Sequence, residues 1–411
     1  MSGPGPSTDS GIPFDAKRHL GGAEALKSVE ETVLALKADE ALAEIFFHPE
    51  IEETLRSRAA FLEGLLTAEE QWIDIQAGRF STADLERIMS HLIRLKDAVW
   101  ALHRDVLSTL DGVREFNGGN EFPLSGESFR KIRKILLLLN ALDRLEVRGR
   151  DSAGIQAAFS LGDRTILPRI LDLLKKEGLH EEFLKRMEPG DTLDGSIHLS
   201  DGTPESPNPF LSFTYKKASI TGKLGENGAY LKERIRSDRI FRLFLAEPME
   251  TEAFLLHTRW ASVGSITEDN CHPVNNYTVG PDTRNGPHGP VCLPAREFLR
   301  YGMGNWTIDV ALNGDIDNYR ELREAFENRG KETISSRVTT DTKIIPLQVE
   351  KYLDEGQSLK EAFRLAVNDF EGSHAIALQS NLDPGTVYLA LKGSGQSLYV
   401  GICGDKYLYA S

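Results

Sequence analysis

Apolar residues recur at helical spacing through the first quarter of the chain. From Gly22 to Leu110 the steps are three and four residues, which is typical of amphipathic helices. The most regular run consists of Leu85, Ile88, Leu92, Leu95, Val99, Leu102 and Val106. Ser81, followed by Asp84, is typical of a helix start. The pattern predicts about three antiparallel helices that form a helical bundle over residues 22–115.

The pattern changes after residue 126. Residues 127–146 carry one broad apolar face and predict a further helix, and strand-like runs then alternate with helices. The expected strands are 153–159, 254–256, 306–312, 374–379, 387–391, 397–402 and 406–410, and the expected helices are 166–187, 319–329 and 342–354. This order predicts an α+β or layered α/β fold.

Two segments lack such periodicity. Residues 1–21 are rich in Pro, Gly and Asp near the start, and we interpret them as a flexible lead-in. Residues 188–210 are rich in Gly, Pro, Ser and Asp, which predicts a loop-rich tract.

Composition and charge narrow the function classes. The 411 residues are 40% hydrophobic and 27% charged, as in ordinary globular proteins. Lys and Arg number 48 against 62 Asp and Glu, giving a net charge of −14, which repels phosphate backbones and anionic lipids. We therefore expect no nucleic-acid partner and no membrane partner. The three cysteines have no zinc-site spacing, no phosphate loop is evident, and a cytoplasmic protein without metal or cofactor is predicted.

Two charged clusters lie beside apolar runs. The first, at residues 148–154, reads RGRDSAG, and a helix C-cap with a surface ion pair would explain it. The second, at residues 257–264, reads HTRWASVG and follows an apolar run. Arg259, next to Trp260, is suited to hold a carboxylate with two hydrogen bonds. A structural salt bridge is the alternative for Arg259.

Two more clusters offer a hydrogen-bond donor pair and a carboxylate. Asn313 and Gly314 follow a strand-like run. Such a pair usually makes a tight turn, but the Asn amide and the next N–H could also stabilise an oxyanion. The segment 339–342 places Asp341 before an apolar helix. Asp341 could bind a ligand ammonium, or Thr340 or Asp341 could cap the helix.

Together these clusters resemble, in order, the class II glutamine amidotransferase domain of the glutamine–fructose-6-phosphate aminotransferase (glucosamine-6-phosphate synthase) family. The match extends over residues 128–411, with an insertion-like tract at 165–250. It is carried by RGRDSAG, HTRWASVG, NCHP, LNGDIDNYRELR, TTDTKII and EGSHA. HTRWA resembles this branch rather than asparagine synthetase or the purine enzyme.

The resemblance implies a fold and a set of residue roles. The fold is the four-layer αββα sandwich of N-terminal-nucleophile hydrolases, α+β in class, over residues 127–411. The helical bundle is then an added insertion or extension. Arg259 would bind the α-carboxylate of glutamine and Asp341 its α-ammonium. Asn313 and the Gly314 N–H would form the oxyanion hole, and Trp260 would belong to a mobile loop that closes over glutamine.

The resemblance also implies an activity. In this family glutamine hydrolysis supplies ammonia to a sugar-phosphate isomerase domain during amino sugar biosynthesis. This chain would be one part of a glutamine–fructose-6-phosphate transaminase (isomerizing). The isomerase-type synthase domain would then act in cis or in trans, and a homodimer is compatible with the resemblance.

The sequence departs from the family at the nucleophile. The family uses an N-terminal cysteine whose α-amino group is the base. This chain begins Met1-Ser2-Gly3 and has no cysteine before Cys271, which lacks a free α-amine and is a poor substitute. Either the chain is a fragment or split form whose cysteine-bearing strand lies upstream, or the domain is a glutaminase-dead glutamine sensor or scaffold. We expect a fragment, inactive by itself.

Overall fold

The computed structural model describes residues 14–118, 124–187, 195–202, 206–219, 223–277, 279–281, 306–329, 332–403 and 406–411. The chain forms two compact units, Met1–Leu136 (unit 1) and Leu137–Ser411 (unit 2). The boundary falls inside a helix, α6, at Gly126–Leu145. The predicted amidotransferase-like domain of residues 127–411 therefore begins somewhat earlier than the second unit.

The described part of unit 1 is helical. Its helices are α1 (Gly22–Leu36), α2 (Asp39–Phe47), α3 (Pro49–Gln76), α4 (Thr82–Ala101) and α5 (Ser108–Asn117), with a π-helical turn at Leu102–Leu107. Pro49 occupies the first turn of α3. A backbone N–H at that position would have no partner within the helix, so proline, which lacks the N–H, costs no hydrogen bond there. The Ser81 hydroxyl accepts the Asp84 N–H at 3.2 Å and begins α4 as predicted. The chain forms more helices than the three expected, because short breaks divide the apolar pattern.

The apolar run of α4 is buried, as its spacing predicts. The buried members are Ile88, Leu92, Leu95, Val99, Leu102 and Val106. They pack in part against Leu26 of α1 and Ile73 of α3. The buried stripe therefore continues from α4 into the π-helical turn that precedes α5.

The described end of the lead-in differs from the flexible segment that we expected. Residues Ala16–Gly21 form a 3-10 helix in which Ala16 and His19 are buried. The His19 Nε2 lies 3.0 Å from a Glu69 carboxylate oxygen. Aromatic packing of Phe14 and this buried contact hold the segment against the helices, effects that composition alone does not reveal.

Unit 2 combines strands and helices. The strands are β1 (Ser152–Leu161), β2 (Ile197–Ser200), β3 (Phe210–Ala218), β4 (Met249–Arg259), β5 (Val274–Asn275), β6 (Val279–Pro281), β7 (Ile308–Gly314), β8 (Glu332–Ile334), β9 (His374–Ser380), β10 (Tyr388–Lys392), β11 (Tyr399–Cys403) and β12 (Lys406–Ala410). The helices after α6 are α7 (Ile166–Lys176), α8 (His180–Arg186), α9 (Glu226–Ser237), α10 (Arg239–Leu245), α11 (Tyr319–Glu327), α12 (Ile344–Asp354) and α13 (Leu359–Asp369).

Two four-stranded antiparallel sheets form the centre of unit 2. The first has the order β2-β3-β1-β4 and the second the order β10-β9-β7-β5. The sheets face each other, since the Gln156 amide of β1 donates to Asp309 of β7 at 2.8 Å. Gln379 of β9 also donates to Gln156. Polar side chains therefore join the two sheets.

Helices cover the outer faces of both sheets. Phe241 and Phe244 of α10 pack against Phe213 of the first sheet, with ring centroids 4.8 and 5.6 Å apart. The second sheet packs on α12 and α13 through a buried core that includes Ile308, Ile345 and Phe363. The layer order is helix, sheet, sheet, helix, and the predicted α+β class is confirmed.

The predicted tracts at 188–210 and 165–250 contain regular structure. The loop-rich tract contains strand β2, whose residues Ile197 and Leu199 are buried; residues 188–194 and 203–205 lie outside the described part. The insertion-like tract contains β3, which pairs with β1 along nine residue pairs. It also contains α9 and α10, which the sequence did not predict. The tract therefore supplies part of the first sheet, because β3 lies between β1 and β2.

Candidate functional site

Arg259 ends strand β4 and lies beside Ser152, its register partner in β1. Its side chain is only 5% exposed. The guanidinium donates to the carbonyl oxygens of Val263 and of Ser265, the latter at 3.3 Å. Burial lowers the pKa of Arg259, although nearby acidic groups including Asp341 oppose that shift. Among the described residues Arg259 forms no ion pair, so the structural salt bridge weighed above is not found.

The RGRDSAG turn holds the loop that follows Arg259. A Cβ on Gly149 would lie 2.7 Å from the Arg259 carbonyl carbon, so only glycine permits this close approach. An Asp151 carboxylate oxygen accepts the N–H of Ala261 at 2.9 Å. Trp260, between these anchors, is 68% exposed. The turn thus fixes the loop on both sides of an exposed indole.

Asp341 begins a short 3-10 helix, Asp341–Lys343, that leads into α12. Its carboxylate accepts the backbone N–H groups of Ile316 and Thr342, both at 2.9 Å. Asp341 is 5% exposed, and burial raises its pKa against these two hydrogen bonds. Thr340 occupies the cap position, but its side chain makes no capping bond. In the described part of the chain, no cationic side chain pairs with Asp341.

Asn313 and Gly314 are the last residues of β7. They pair in register with Ala375 and His374 of β9. The tight turn that we considered for this pair is therefore not observed. Gly314 has φ 114°, and a Cβ there would lie 2.1 Å from the Ser373 carbonyl oxygen. The half-buried Asn313 amide donates to the Ser411 hydroxyl at 3.0 Å.

The three segments converge. The Ser262 hydroxyl, from the loop after Arg259, donates to Asp315, directly after β7, at 2.5 Å. The next residue, Ile316, donates to Asp341. The loop after β4, the end of β7 and the segment before α12 therefore meet, and they carry all of the predicted site residues.

One buried residue at this junction was not singled out as a site residue. Asn270 has no exposed surface, and its side chain bonds both to the loop after Arg259 and to the segment before Asp341. The NCHP motif contains it, but nothing in the local pattern distinguishes a bridging asparagine from an ordinary loop residue.

Cys271, which follows Asn270, and two histidines have hydrogen bonds and packing contacts that favour structural roles. The Cys271 thiol donates to the carbonyl oxygens of Lys217 and Thr267, both at 3.4 Å, and burial raises its pKa. The rings of His257 and His272 lie 4.3 Å apart. Burial lowers the pKa of His257 to about 4 and holds the pKa of His272 well below its usual value, so both are neutral at pH 7.

Within the described ranges, no group of three His, Cys, Asp or Glu residues could hold a metal ion. In that same part of the chain, no helix has the length and apolar character needed to cross a membrane.

Comparison with known proteins confirms the resemblance in sequence. The chain is 32% identical over 157 residues to a glutamine–fructose-6-phosphate aminotransferase (isomerizing) of Methanothermobacter thermautotrophicus, covering 38% of this chain and 21% of that protein. It is 35% identical over 130 residues to the enzyme of the same name from Sulfurisphaera tokodaii, covering 32% and 17%. The match thus spans about a fifth of these relatives. No protein-family model matches the chain.

Among solved structures, the allosteric regulatory enzyme of purine biosynthesis aligns with 67% of this chain and 38% of its own, with 16% identity and a TM-score of 0.36. That score is too low to support a conclusion. On sequence, this chain therefore resembles a part of the glutamine–fructose-6-phosphate aminotransferases.

Proposed function

We propose that unit 2 binds glutamine at the junction of the three segments. The observation that carries this proposal is a pair of opposite buried charges, Arg259 and Asp341, neither of which forms an ion pair with the other or with another described side chain. A buried charge without a partner is strongly unfavourable. A free amino acid supplies the two complementary charges, its α-carboxylate for Arg259 and its α-ammonium for Asp341.

The remaining predicted residues complete the proposed site. The Asn313 amide and the Gly314 N–H would donate to the oxygen of the glutamine side-chain amide, where negative charge develops during acyl transfer. Trp260 is exposed on a loop anchored by Asp151 and could cover a bound ligand with its indole. These roles follow the resemblance, and the positions of the residues at one junction support them.

Hydrolysis of glutamine would need a thiolate near these donors. Cys271 is unsuited, because its thiol is fully buried, donates to two backbone carbonyl groups and has a raised pKa. We therefore propose that Cys271 is not a nucleophile and that this chain binds glutamine without hydrolysing it by itself. A sensing or scaffold role is the second candidate, which this environment of Cys271 favours.

The wider context is proposed from the relatives. They are named glutamine–fructose-6-phosphate aminotransferases, and the chain matches only a fifth of their length. We propose that the domain acts with a sugar isomerase-type domain, in cis or in trans, in amino sugar biosynthesis in the cytoplasm.

Calorimetry with the full chain and glutamine tests the proposed binding. Replacing Arg259 by Ala should weaken binding by about 1.5–3 kcal/mol, the range for a hydrogen bond to a charged group. Arg364→Ala is the matched control, because within the described ranges the ion pair of Arg364 is an exposed one, with Glu361. Equal affinity in the wild type and Arg259→Ala would exclude Arg259 as the carboxylate ligand, and no heat with the wild type would exclude the function.

Alkylation tests the statement about Cys271. The chain is incubated with a diazo-ketone analogue of glutamine, and its intact mass and the release of ammonia from glutamine are measured. We expect neither an adduct on Cys271 nor ammonia. A stoichiometric adduct on Cys271 together with ammonia release would show a relocated nucleophile.

A further inference from the structure

The side chain of Asn270 joins the two halves of the proposed glutamine site. It lies in a short 3-10 helix, Glu268–Asn270, and is fully buried. Its amide donates to three oxygen atoms and accepts two backbone N–H groups. A buried amide with both its donor and acceptor atoms engaged holds its neighbours in one arrangement.

The amide nitrogen of Asn270 bonds to the segment that holds Arg259. It donates to the Ser265 hydroxyl at 2.9 Å and to the Thr267 hydroxyl at 2.7 Å. The carbonyl of Ser265 in turn accepts from the Arg259 guanidinium. The position of the Arg259 guanidinium thus depends on a loop that the hydrogen bonds of Asn270 stabilise.

The amide oxygen of Asn270 bonds to the segment that carries Asp341. It accepts the N–H of Thr339 at 2.7 Å and the N–H of Thr340 at 2.9 Å. Thr340 directly precedes Asp341. The hydroxyl of Thr339 also accepts the N–H of Ser265 at 2.9 Å, which closes the link between the two segments.

We propose that Asn270 is a positioning residue that sets the separation between the Arg259 guanidinium and the Asp341 carboxylate. This inference rests on the proposed function. Arg259 and Asp341 are held by backbone groups and not by each other, so their spacing must come from the loops. The Asn270 side chain bonds directly to both loops. It is not itself expected to touch the ligand.

The test compares two buried asparagines. Asn276 is a matched control, because it is 4% exposed and its amide makes similar bonds, to Trp306, Glu350 and Ile308, away from the junction. Glutamine affinity is measured by calorimetry on the full chain, after circular dichroism has shown folded protein. Asn270→Ala should weaken glutamine binding by about tenfold or more. Asn276→Ala should leave the affinity within about twofold of the wild type while also lowering the melting temperature.

The Asn270→Asp variant tests the donor bonds and the acceptor bonds of Asn270 separately. The carboxylate keeps acceptors for Thr339 and Thr340 but loses the donors to Ser265 and Thr267. Discrimination against 4-aminobutanamide, which lacks the α-carboxylate, should therefore fall. Discrimination against glutaramate, which lacks the α-ammonium, should persist. If Asn270 had only a structural role, Asn270→Asp would change the discrimination against the two analogues, 4-aminobutanamide and glutaramate, equally or not at all.

The outcomes are distinct. If the wild type binds no glutamine, the proposed function fails. If the wild type binds and Asn270→Ala weakens binding no more than Asn276→Ala, the positioning role is wrong. If both Asn270 variants fail to fold, Ser265→Ala decides: Ser265 is exposed, its hydroxyl is the acceptor of the Asn270 amide, and unchanged affinity in that variant would overturn the inference.

Discussion

One cluster of buried charges in each unit shows a different choice of partners. In unit 1 the Glu52 carboxylate, 7% exposed, pairs with Arg56 at 2.8 Å and also with Arg114. Burial alone would raise the pKa of Glu52, but hydrogen bonds from the two arginines outweigh it and lower the pKa. In unit 2, Arg259 and Asp341 are equally buried but bond to backbone groups.

The difference separates structural charges from charges that are available to a ligand. Where a fold needs a buried ion for its own stability, it supplies the counter-ion. Where an ion is held only by neutral dipoles, its charge remains to be neutralised by something else. The comparison therefore supports a ligand at the junction in unit 2 and a structural role for the cluster in unit 1.

The largest expected effect is a loss of stability in unit 1. Replacing Arg56 and Arg114 together by Ala would leave Glu52 buried without a partner. Breaking a buried pair in this way costs about 3–5 kcal/mol, although the partial exposure of both arginines places the expectation at the lower end. Urea unfolding followed by circular dichroism measures the loss.

The matched control is the exposed pair of Lys96 and Glu70, at 3.0 Å. Lys96→Ala should lower the free energy of unfolding by less than about 1 kcal/mol. If the double arginine variant loses no more than this, the unit 1 cluster is not structural and the comparison between the units fails.

Buried histidines extend the comparison of the two units to stability at low pH. In unit 1 His19 has a carboxylate partner, Glu69, whereas in unit 2 His257 packs against His272. The pKa of His257 falls from 6.5 to about 4 in the folded state. A depressed histidine pKa gives stability that is complete above the unfolded value and is lost as the pH falls from 6.5 towards 4. The difference corresponds to about 3 kcal/mol.

Unfolding free energies at pH 7 and pH 4 check this. The wild type should lose about 3 kcal/mol more than His257→Leu over that interval. His48→Leu, at an exposed site, is the control for the replacement of a histidine by leucine. An identical pH dependence in the wild type and His257→Leu would show that His257 is not buried in its neutral form.

Gly314 tests how rigid the backbone of the site is. Ala at Gly314 would adopt φ 114° with its Cβ 2.1 Å from the Ser373 carbonyl oxygen. Strain at such a position costs about 1–3 kcal/mol, and the steric contact adds to it. Gly356→Ala separates the two effects, because Gly356 has φ 85° with no atom within 4 Å of the added Cβ. Equal losses of melting temperature would mean that the end of β7 adjusts freely.

The sequence predicts the helices and strands that depend on a local pattern of apolar residues. The run from Ile88 to Val106 is buried at its helical spacing, and strand β12 begins and ends at its predicted residues, Lys406 and Ala410. The convergence of Arg259, Asn313 and Asp341 was expected from ordered motifs and is consistent with the contacts through Asp315 and Ile316.

The sequence did not predict contacts that depend on distant segments. Strand β3 lies in the tract at 165–250 that the sequence predicts to be insertion-like, and its place in the first sheet depends on pairing with β1. The bridging role of Asn270 depends on residues about 70 positions away. A polar side chain that bonds across such a separation leaves no periodicity in its own segment, so only the folded chain reveals it.

The smallest expected change in stability is the most specific test of the comparison. Asp341→Asn removes the unpaired charge with little change in volume. One amide oxygen can still accept an N–H, but the amide nitrogen faces the other donor. Loss of that bond and relief of charge burial oppose each other, so the free energy of unfolding should change by less than about 1 kcal/mol.

Asp238→Asn is the structural counterpart, because the Asp238 carboxylate is paired with Arg186 at 2.7 Å and also accepts from Tyr215 and Phe241. That variant should lose about 3 kcal/mol. Calorimetry should show the reverse order for glutamine, with binding weakened about tenfold or more by Asp341→Asn and retained in folded Asp238→Asn. A large loss of stability in Asp341→Asn would make Asp341 a structural charge like those of unit 1, and the proposed ammonium site would then be wrong.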